Sequence, residues 1–230
     1  MNEYNFMSVL SIPLRSDGEA IGAITLERLS SKAYSDTDVR LLKLLSRKIS
    51  TILNWHREYI KVHLTSIHDG LTGLLNHKAF LNRFEEEISR AGRFNQMFGL
   101  IILDLDKFKS INDSYGHLYG DYVLKGVAKI ISDSVRTIDI VGRYGGEEFA
   151  VLLINSDIQH CIPVAERIVK SIAEKTFLKS GIAANITISG GMAGFPRHAE
   201  HVQDLIIKAD KAMYETKSVG GNGVTITADA

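Results

Sequence analysis

The sequence predicts an α+β fold in which helices cover a central mixed or antiparallel sheet. From Asp69 onward, apolar strand-like segments alternate with amphipathic helical segments. Two of these strands are separated only by residues 144–148, which include Gly145 and Gly146, so they are expected to form a hairpin. A further hairpin and a long helix precede this region. Because hairpin strands are antiparallel, the sheet cannot be purely parallel.

Residues 6–28 are predicted to form the first hairpin. Residues 8–14 and 20–27 alternate apolar and polar side chains, and the segment between them supplies turn residues. Ser35 or Asp36 then offers a helix N-cap, and a helical pattern continues without Pro or Gly until Gly70. A helix of this length suggests a connector or a coiled coil.

The apolar residues of the long helix allow two interpretations. They are spaced nearly as heptads, with a phase slip near Trp55: Leu42, Leu45, Ile49 and Ile52, then Leu53, Ile60, Leu64 and Ile67. Over residues 38–53, this face can either pack on the preceding hairpin or form a dimer seam. Beyond Trp55 the helix has little of its own chain to pack against, which favours a dimer seam.

The remaining elements follow from periodicity. Helices are predicted over residues 78–91, 117–135, 158–176 and 202–216, and strands over 98–105, 138–143, 149–154, 184–193 and 224–227.

Composition excludes several classes of protein. The 230 residues carry 27 Lys and Arg against 27 Asp and Glu, which argues against a nucleic-acid binder or a membrane-surface protein. A single cysteine, Cys161, excludes an internal disulfide and fits a cytoplasmic location. No apolar run approaches the roughly 20 residues of a membrane span. Residues 69–230 hold eighteen basic and twenty acidic side chains, so the larger part is mildly acidic.

Two acidic motifs are predicted to meet at a sheet edge. Asp104 and Asp106 end a buried strand, and Glu147 and Glu148 follow the glycine pair, whose members allow positive φ and close backbone approach. Carboxylates from neighbouring strands form a hard, oxygen-only site suited to Mg²⁺, which binds one or two carboxylates together with substrate phosphates. The sequence therefore predicts a site for a metal-bound triphosphate.

Four motifs together resemble the GGDEF family of diguanylate cyclases. They are the segment from Arg143 to Phe149 (RYGGEEF), the segment from Asp104 to His117 followed by Gly120 and Asp121, the segment from Asp69 to Asn76 (DGLTGLLN), and the segment from Ala209 to Tyr214 (ADKAMY). The resemblance covers about residues 66–230. It implies condensation of two GTP molecules into cyclic di-GMP and pyrophosphate, with one GTP on each of two facing domains, so that a homodimer is required.

The resemblance also implies roles for individual residues. Two Mg²⁺ or Mn²⁺ ions per GTP are expected on Asp104, Glu147 and the Leu105 carbonyl, and either Glu147 or Glu148 assists deprotonation of the 3′-hydroxyl. Phosphate contacts are expected from the Phe108 and Lys109 amides, the Lys109 and Lys217 ammonium groups, Gly145 and Gly146, with Arg143 adding positive charge. Asn112 and Asp121 match the guanine-reading pair. A carboxylate accepts from guanine N1–H and N2–H₂, whereas adenine offers no N1–H, so Asp121 favours GTP over ATP.

A second nucleotide site is expected at Arg136 and Asp139. Their spacing before the hairpin resembles the family's inhibitory RxxD site, at which cyclic di-GMP binds, and Arg167 falls where the family often has a supporting arginine. An arginine can bind guanine or phosphate through two hydrogen bonds, while the aspartate is expected to accept from the guanine edge.

The chain departs from the family pattern at Gly221. The family usually has Gly-Arg-Asn where this chain has Gly220, Gly221 and Asn222, so one expected phosphate contact is absent. Its loss is expected to weaken GTP binding by about 1.5–3 kcal/mol. An alternative function follows, namely a catalytically weak or inactive domain that serves as a cyclic di-GMP receptor or as a signalling dimerisation module.

The N-terminal part resembles the end of a GAF domain. The similarity rests on the segments Ser11 to Leu14 and Gly22 to Leu26 and on the helix after them. The expected organisation is a partial GAF-like segment over residues 1–55, a helical linker over 56–68 and the GGDEF domain over 69–230. Two strands and a helix are too few to enclose a ligand pocket.

Overall fold

A computed structural model describes residues 8–16, 18–31 and 34–229, with the side chains of residues 58–66 left out. The chain divides into two compact units, Met1–Ser66 and Ile67–Ala230. Within the described residues, no helix has both the length and the apolar character needed to cross a membrane.

The first unit begins with the predicted hairpin. Strands β1 (Ser8–Ser16) and β2 (Glu19–Arg28) pair antiparallel, with a register shift after Leu14. Helix α1 (Asp36–Ile67) follows. Its start is a reciprocal cap, because Asp38 N donates to the Ser35 hydroxyl and the Asp38 carboxylate accepts from Ser35 N.

Helix α1 presents two unlike faces. Leu42, only 3% exposed, lies one turn before Ser46, whose hydroxyl donates to the Pro13 carbonyl at 2.6 Å. One turn further, the Ser50 hydroxyl accepts from Arg15 N. This face therefore packs on the hairpin. Hairpin packing was one of the two interpretations given for residues 38–53.

The other face of α1 is apolar and exposed. Leu45 is 53% exposed and Ile52 is 65% exposed, and the same face carries Leu41, Leu44 and Trp55. The heptad interpretation required Leu42 to lie on one surface with Leu45 and Ile52. In the structure Leu42 is buried, whereas Leu45 and Ile52 are exposed. The predicted seam residues Ile60 and Leu64 lie outside the side chains that the structure describes.

The second unit is built on a five-stranded sheet. Its strands are β3 (Phe98–Leu105), β4 (Ile140–Arg143), β5 (Glu148–Ile154), β8 (Ile188–Phe195) and β9 (Val224–Ile226), in the order β4-β5-β3-β8-β9. All neighbours are antiparallel except β8 and β9, which are parallel. The predicted α+β class with a mixed sheet is confirmed.

Helices cover both faces of this sheet, which separates two hydrophobic cores. The helices are α2 (His77–Phe94), α3 (Phe108–Tyr115), α4 (His117–Asp133), α5 (Ile158–Ala173) and α6 (Val202–Ser218). Alternate residues of β3 point to opposite cores, Ile101 and Leu103 toward α4 and α5, Leu100 and Ile102 toward α2 and α6.

Helix α6 lies directly against β8. A Cβ at Gly191 would come within 3 Å of the backbone of Ala209, Ala212 and Met213. The strand and the helix are therefore in backbone contact at this point, and a side chain at position 191 has no room.

Two elements differ from the sequence prediction. Residues 108–115 form α3, although they were not assigned to a helix, and the short strands β6 (Phe177–Lys179) and β7 (Ile182–Ala184) form a hairpin that was not expected. The strand predicted over residues 184–193 is correspondingly wrong at its start, because β8 begins at Ile188.

Candidate active site

Three acidic side chains converge where β3 and β5 meet. Asp104 lies next to the last residue of β3 and pairs across the sheet with Glu148, the first residue of β5. Leu105 N donates to the Glu147 carbonyl at 3.3 Å, which fixes Glu147 beside the same strand end. The structure thus brings together the residues predicted to bind metal.

The electrostatics of this cluster disfavour its full ionisation. Burial, and then the negative charge of Asp104, raise the pKa of both Glu147 and Glu148 above the ordinary value. Burial also raises the pKa of Asp210, an α6 residue whose charge in turn acts on Glu148. Four carboxyl groups therefore share a region in which added positive charge is favourable.

Lys217 supplies positive charge within the chain itself. Its Nζ lies 2.5 Å from Asp104 Oδ1, and both side chains are mostly shielded from solvent. This contact joins the last turn of α6 to the end of β3. The lysine predicted to contact phosphate is therefore located at the predicted metal site.

The turn between β4 and β5 is shaped by close approach at Gly145. The Glu148 carboxylate lies so close to Gly145 that a Cβ there would overlap it. Neither Gly145 nor Gly146 has a left-handed φ, so the expectation that the pair serves to allow positive φ is wrong. Gly145 N and Tyr144 N both donate to the Glu148 carbonyl, which closes the turn.

Arg143 binds this turn to the start of the unit. Its Nη2 and Nε donate to the Gly146 carbonyl at 2.6 and 3.2 Å, while Nη1 contacts both oxygens of Asp69. Burial opposes ionisation of Asp69, but hydrogen bonds from Thr72 and Arg143 lower its pKa overall. Arg143 is thus held inside the protein and orients the turn.

The segment after β3 carries the predicted phosphate-binding residues. Lys107 has φ of 55°, a left-handed conformation, and α3 begins at the next residue. The ring of Phe108 is buried in the core, so only its backbone can face a ligand, whereas the Lys109 side chain is exposed. The amides at the start of α3 form a site suited to anions.

The predicted guanine-reading pair is positioned by the contact between α3 and α4. Asn112 of α3 lies against Gly120 of α4, where a Cβ would overlap its Oδ1. Asp121 follows Gly120 directly and is partly exposed. The missing side chain at position 120 therefore lets Asn112 lie beside the residue that precedes Asp121.

At the predicted inhibitory site, Arg136 and Asp139 bind each other. Arg136 Nη2 lies 3.1 Å from Asp139 Oδ1 and also donates to the Ile154 carbonyl and the Ser156 hydroxyl. Asp139, 1% exposed at its side chain, accepts from Arg136 N and Ile154 N as well. Arg136 remains 57% exposed at its side chain. Asp139 thus orients the arginine, and its buried carboxylate is not exposed to accept from a guanine edge as expected.

Arg167 lies near this pair. Its Nη2 donates to the Ser134 carbonyl at 2.6 Å, two residues before Arg136. Arg136, Asp139 and Arg167, the three residues predicted for this site, therefore lie around the end of α4 and the start of β4.

Sequence reasoning did not assign roles to Asp69 or Asp210, and it assigned Asp106 no contacts. Asp69 belongs to the DGLTGLLN motif and Asp210 to the ADKAMY motif, so their motifs were noted without their partners. The available signal was the carboxylate of each aspartate. A carboxylate in a largely apolar segment requires a hydrogen-bond donor or a cation as its partner.

The donor set suits a hard divalent cation. Asp104, Glu147 and the Leu105 carbonyl offer oxygen atoms only, and burial together with the negative charge of Asp104 raises the pKa of Glu147. Among the residues described, no group of three His, Cys, Asp or Glu side chains is close enough together to hold a metal ion by itself.

Two family matches cover nearly the whole chain. Residues 66–223 match "Diguanylate cyclase, GGDEF domain", and residues 1–53 match the GAF domain.

The relatives include diguanylate cyclase A of Treponema denticola, 34% identical over 224 residues, covering 94% of this chain and 58% of that protein. Diguanylate cyclase DosC of Escherichia coli is 37% identical over 193 residues, covering 82% of this chain and 41% of that protein. The chain therefore spans only part of the length of these relatives.

Solved structures agree with the sequence matches. The coiled coil and GGDEF domain of DgcB from Caulobacter crescentus, in complex with c-di-GMP, is 27% identical with a TM-score of 0.75, covering 81% of this chain and 98% of that one. The active GGEEF domain of a diguanylate cyclase from Vibrio cholerae is 30% identical with a TM-score of 0.64, covering 68% and 99%. With more than half of its residues in the family match, the chain belongs to the GGDEF family of diguanylate cyclases.

Proposed function

We propose that this chain condenses two GTP molecules into cyclic di-GMP and pyrophosphate. The observation that carries the proposal is the convergence of Asp104, Glu147 and Glu148 at one strand end, with raised pKa values on both glutamates and Lys217 alongside. Catalysis at the α-phosphate then depends mainly on positioning and charge neutralisation.

Asp104, Glu147 and the Leu105 carbonyl would hold Mg²⁺ or Mn²⁺. When bound, the metal lowers the effective pKa of the 3′-hydroxyl and neutralises charge on the phosphates and the leaving pyrophosphate. The protein contributes the amides at the start of α3 and the ammonium groups of Lys109 and Lys217, which bind phosphate. Asn112 and Asp121 select guanine, and Arg143 holds the turn that carries the two glutamates.

The two glutamates differ in that the charge of Asp210 acts on Glu148. Burial, and then the charges of Asp104 and Asp210, raise the pKa of Glu148 toward the working pH of a general base. We assign Glu147 to the metal and Glu148 to the 3′-hydroxyl of the attacking nucleotide.

We further propose that the active form is a homodimer, since one domain holds one GTP. The exposed apolar face of α1 supports this, because a second copy of the same helix would bury Leu45, Ile52 and Trp55. The substrate, GTP, also accords with the expected cytoplasmic location.

Cyclic di-GMP would inhibit the enzyme at Arg136, Asp139 and Arg167. The support is a guanidinium that is exposed yet oriented by a buried carboxylate. Arg136 would make the contacts to the product, and Asp139 would hold it in place through its hydrogen bonds to Arg136.

Product formation decides between this proposal and the receptor alternative, which rests on the missing arginine at Gly221. Purified chain is incubated with GTP and Mg²⁺, and nucleotides are separated by chromatography. Cyclic di-GMP is expected from the wild type and not from the Glu147→Ala, Glu148→Ala double variant, which should still bind cyclic di-GMP in calorimetry. Binding of cyclic di-GMP by a wild type that forms no product would favour the receptor.

A further inference from the structure

Asp106 is bound from three directions, although it lies only two residues beyond Asp104. Its Oδ1 accepts from the Ser189 hydroxyl at 2.6 Å, and its Oδ2 accepts from the Thr187 hydroxyl at 2.6 Å and from Asn222 N at 3.0 Å. Asp106 N also donates to the Thr187 carbonyl at 2.9 Å. The carboxylate therefore ties the end of β3 both to the start of β8 and to the segment after α6.

That segment, residues 219–223, is here called the α6 loop. Gly220, Gly221 and Asn222 all have positive φ, at 117°, 74° and 54°. A Cβ at Gly221 would lie 2.9 to 3.0 Å from the carboxylate atoms of Asp106. The loop is thus folded closely over Asp106, and its left-handed backbone at position 221 favours glycine.

Lys217 lies in the last turn of α6, two residues before this loop. Gly220 N donates to the Lys217 carbonyl, and Gly221 N donates to the Thr216 carbonyl, so the loop folds back on that turn. The Lys217 ammonium contacts Asp104. Asp106 therefore anchors the loop that is hydrogen-bonded to the helix turn from which Lys217 reaches the active site.

We propose that Asp106 is a positioning residue, which fixes the α6 loop so that Lys217 points at Asp104 and at the phosphates of GTP. This inference rests on the proposed function for the phosphate contact of Lys217.

The experiment is a double-mutant cycle between Asp106→Asn and Lys217→Met. In Asp106→Asn the charge is lost, and one oxygen remains to accept from Asn222 N and the Thr187 hydroxyl while the amide faces the Ser189 hydroxyl. The loop contact is therefore weakened with little change in volume. Asp106→Asn is expected to raise KM for GTP about tenfold, with a smaller change in kcat. Its effect should be nearly absent when Lys217 is already Met, because both changes act on one contact.

Asp133→Asn is the matched control, since this exposed aspartate of α4 pairs only with Lys129 among the described ion pairs. Full additivity of the two changes, or an unchanged KM in Asp106→Asn, would overturn the proposal. If Asp106→Asn fails to fold, Thr187→Val and Ser189→Ala each remove one donor and should raise KM in the same direction.

The same cycle is measured by calorimetry with a non-hydrolysable GTP analogue and Mn²⁺. If the wild type forms no cyclic di-GMP, the proposed function is refuted. The binding measurements would still show whether Asp106 acts through Lys217. Additive losses of binding in that case would refute the positioning role by itself.

Discussion

The Lys217 ammonium and the Asp104 carboxylate form a direct ion pair at 2.5 Å, in the position where a divalent cation is expected. Both partners have been assigned to GTP binding, one to phosphate and one to metal. The lysine and the metal are therefore competitors for Asp104 as well as partners in holding the substrate.

Removing the lysine should change metal and nucleotide binding in opposite directions. Lys217→Met is expected to bind Mn²⁺ more tightly in the absence of nucleotide, because Asp104 loses its internal cation, and to raise KM for GTP about tenfold. Mn²⁺ titration followed by electron paramagnetic resonance measures the first effect. Weaker Mn²⁺ binding by the variant would contradict the competition.

The raised pKa of Glu147 predicts a pH-dependent gain in stability when its charge is removed. A carboxyl with a raised pKa in the fold binds its proton more tightly there than in the unfolded chain, so its contribution is present at low pH and is lost as pH rises through that pKa. At about pH 4, Glu147→Gln should therefore have the same melting temperature as the wild type. At about pH 8, the melting temperature of Glu147→Gln should be the higher of the two.

This comparison is made by calorimetry in a metal chelator. Glu86→Gln is the control, because Glu86 is exposed on α2 and pairs only with Arg83 among the described ion pairs. A lower melting temperature for Glu147→Gln at pH 8 would show that the charge is not disfavoured in the fold.

Gly120 should be intolerant of the smallest side chain. The Cβ of Gly120→Ala would overlap Asn112 Oδ1, which displaces the guanine-reading amide and should raise KM for GTP about tenfold. Gly92→Ala is the matched control in α2, because no atom lies within 4 Å of its Cβ position. That change should leave KM unaltered and stabilise the fold by about 0.5–1 kcal/mol. Equal KM values for the two variants would contradict the proposed role of Asn112.

Charge on the exposed face of α1 should disrupt the proposed dimer. Ile52→Glu places a carboxylate within an apolar surface, so sedimentation should show more monomer and product formation should fall at low protein concentration. Lys43→Glu places a carboxylate on the opposite side of the helix, where Lys43 is exposed, and should change neither. A wild type that is monomeric at every concentration would argue against this seam.

The order of most strands and helices could be predicted from the sequence, because most of the strands stand out as apolar segments. Residues 98–105 are apolar throughout and form β3, the strand covered by helices on both faces. The β6 and β7 hairpin could not be read, because three-residue strands carry no periodicity. Helix α3 was missed because residues 108–115 were interpreted through their ligand-binding motif, which gave no indication of their backbone.

The site was predictable in its residue types and less so in its contacts. Asp104 and Glu147 were predicted as metal ligands because carboxylates at the ends of neighbouring strands suit a hard cation and because their motifs resemble those of the GGDEF family. What Arg143 and Asp106 do depends on partners 74 and 116 residues away, Asp69 and Asn222. Such distant pairings come from the folded sheet and have no local signal in the sequence.

The contact at Gly191, where β8 meets the backbone of α6, sets the distance between this helix and the sheet. A side chain at position 191 would push α6 away from β8. Because Lys217 extends from the last turn of α6, its ammonium group would be moved away from Asp104 as well. A glycine in the middle of a buried strand therefore decides whether the lysine can reach the carboxylate.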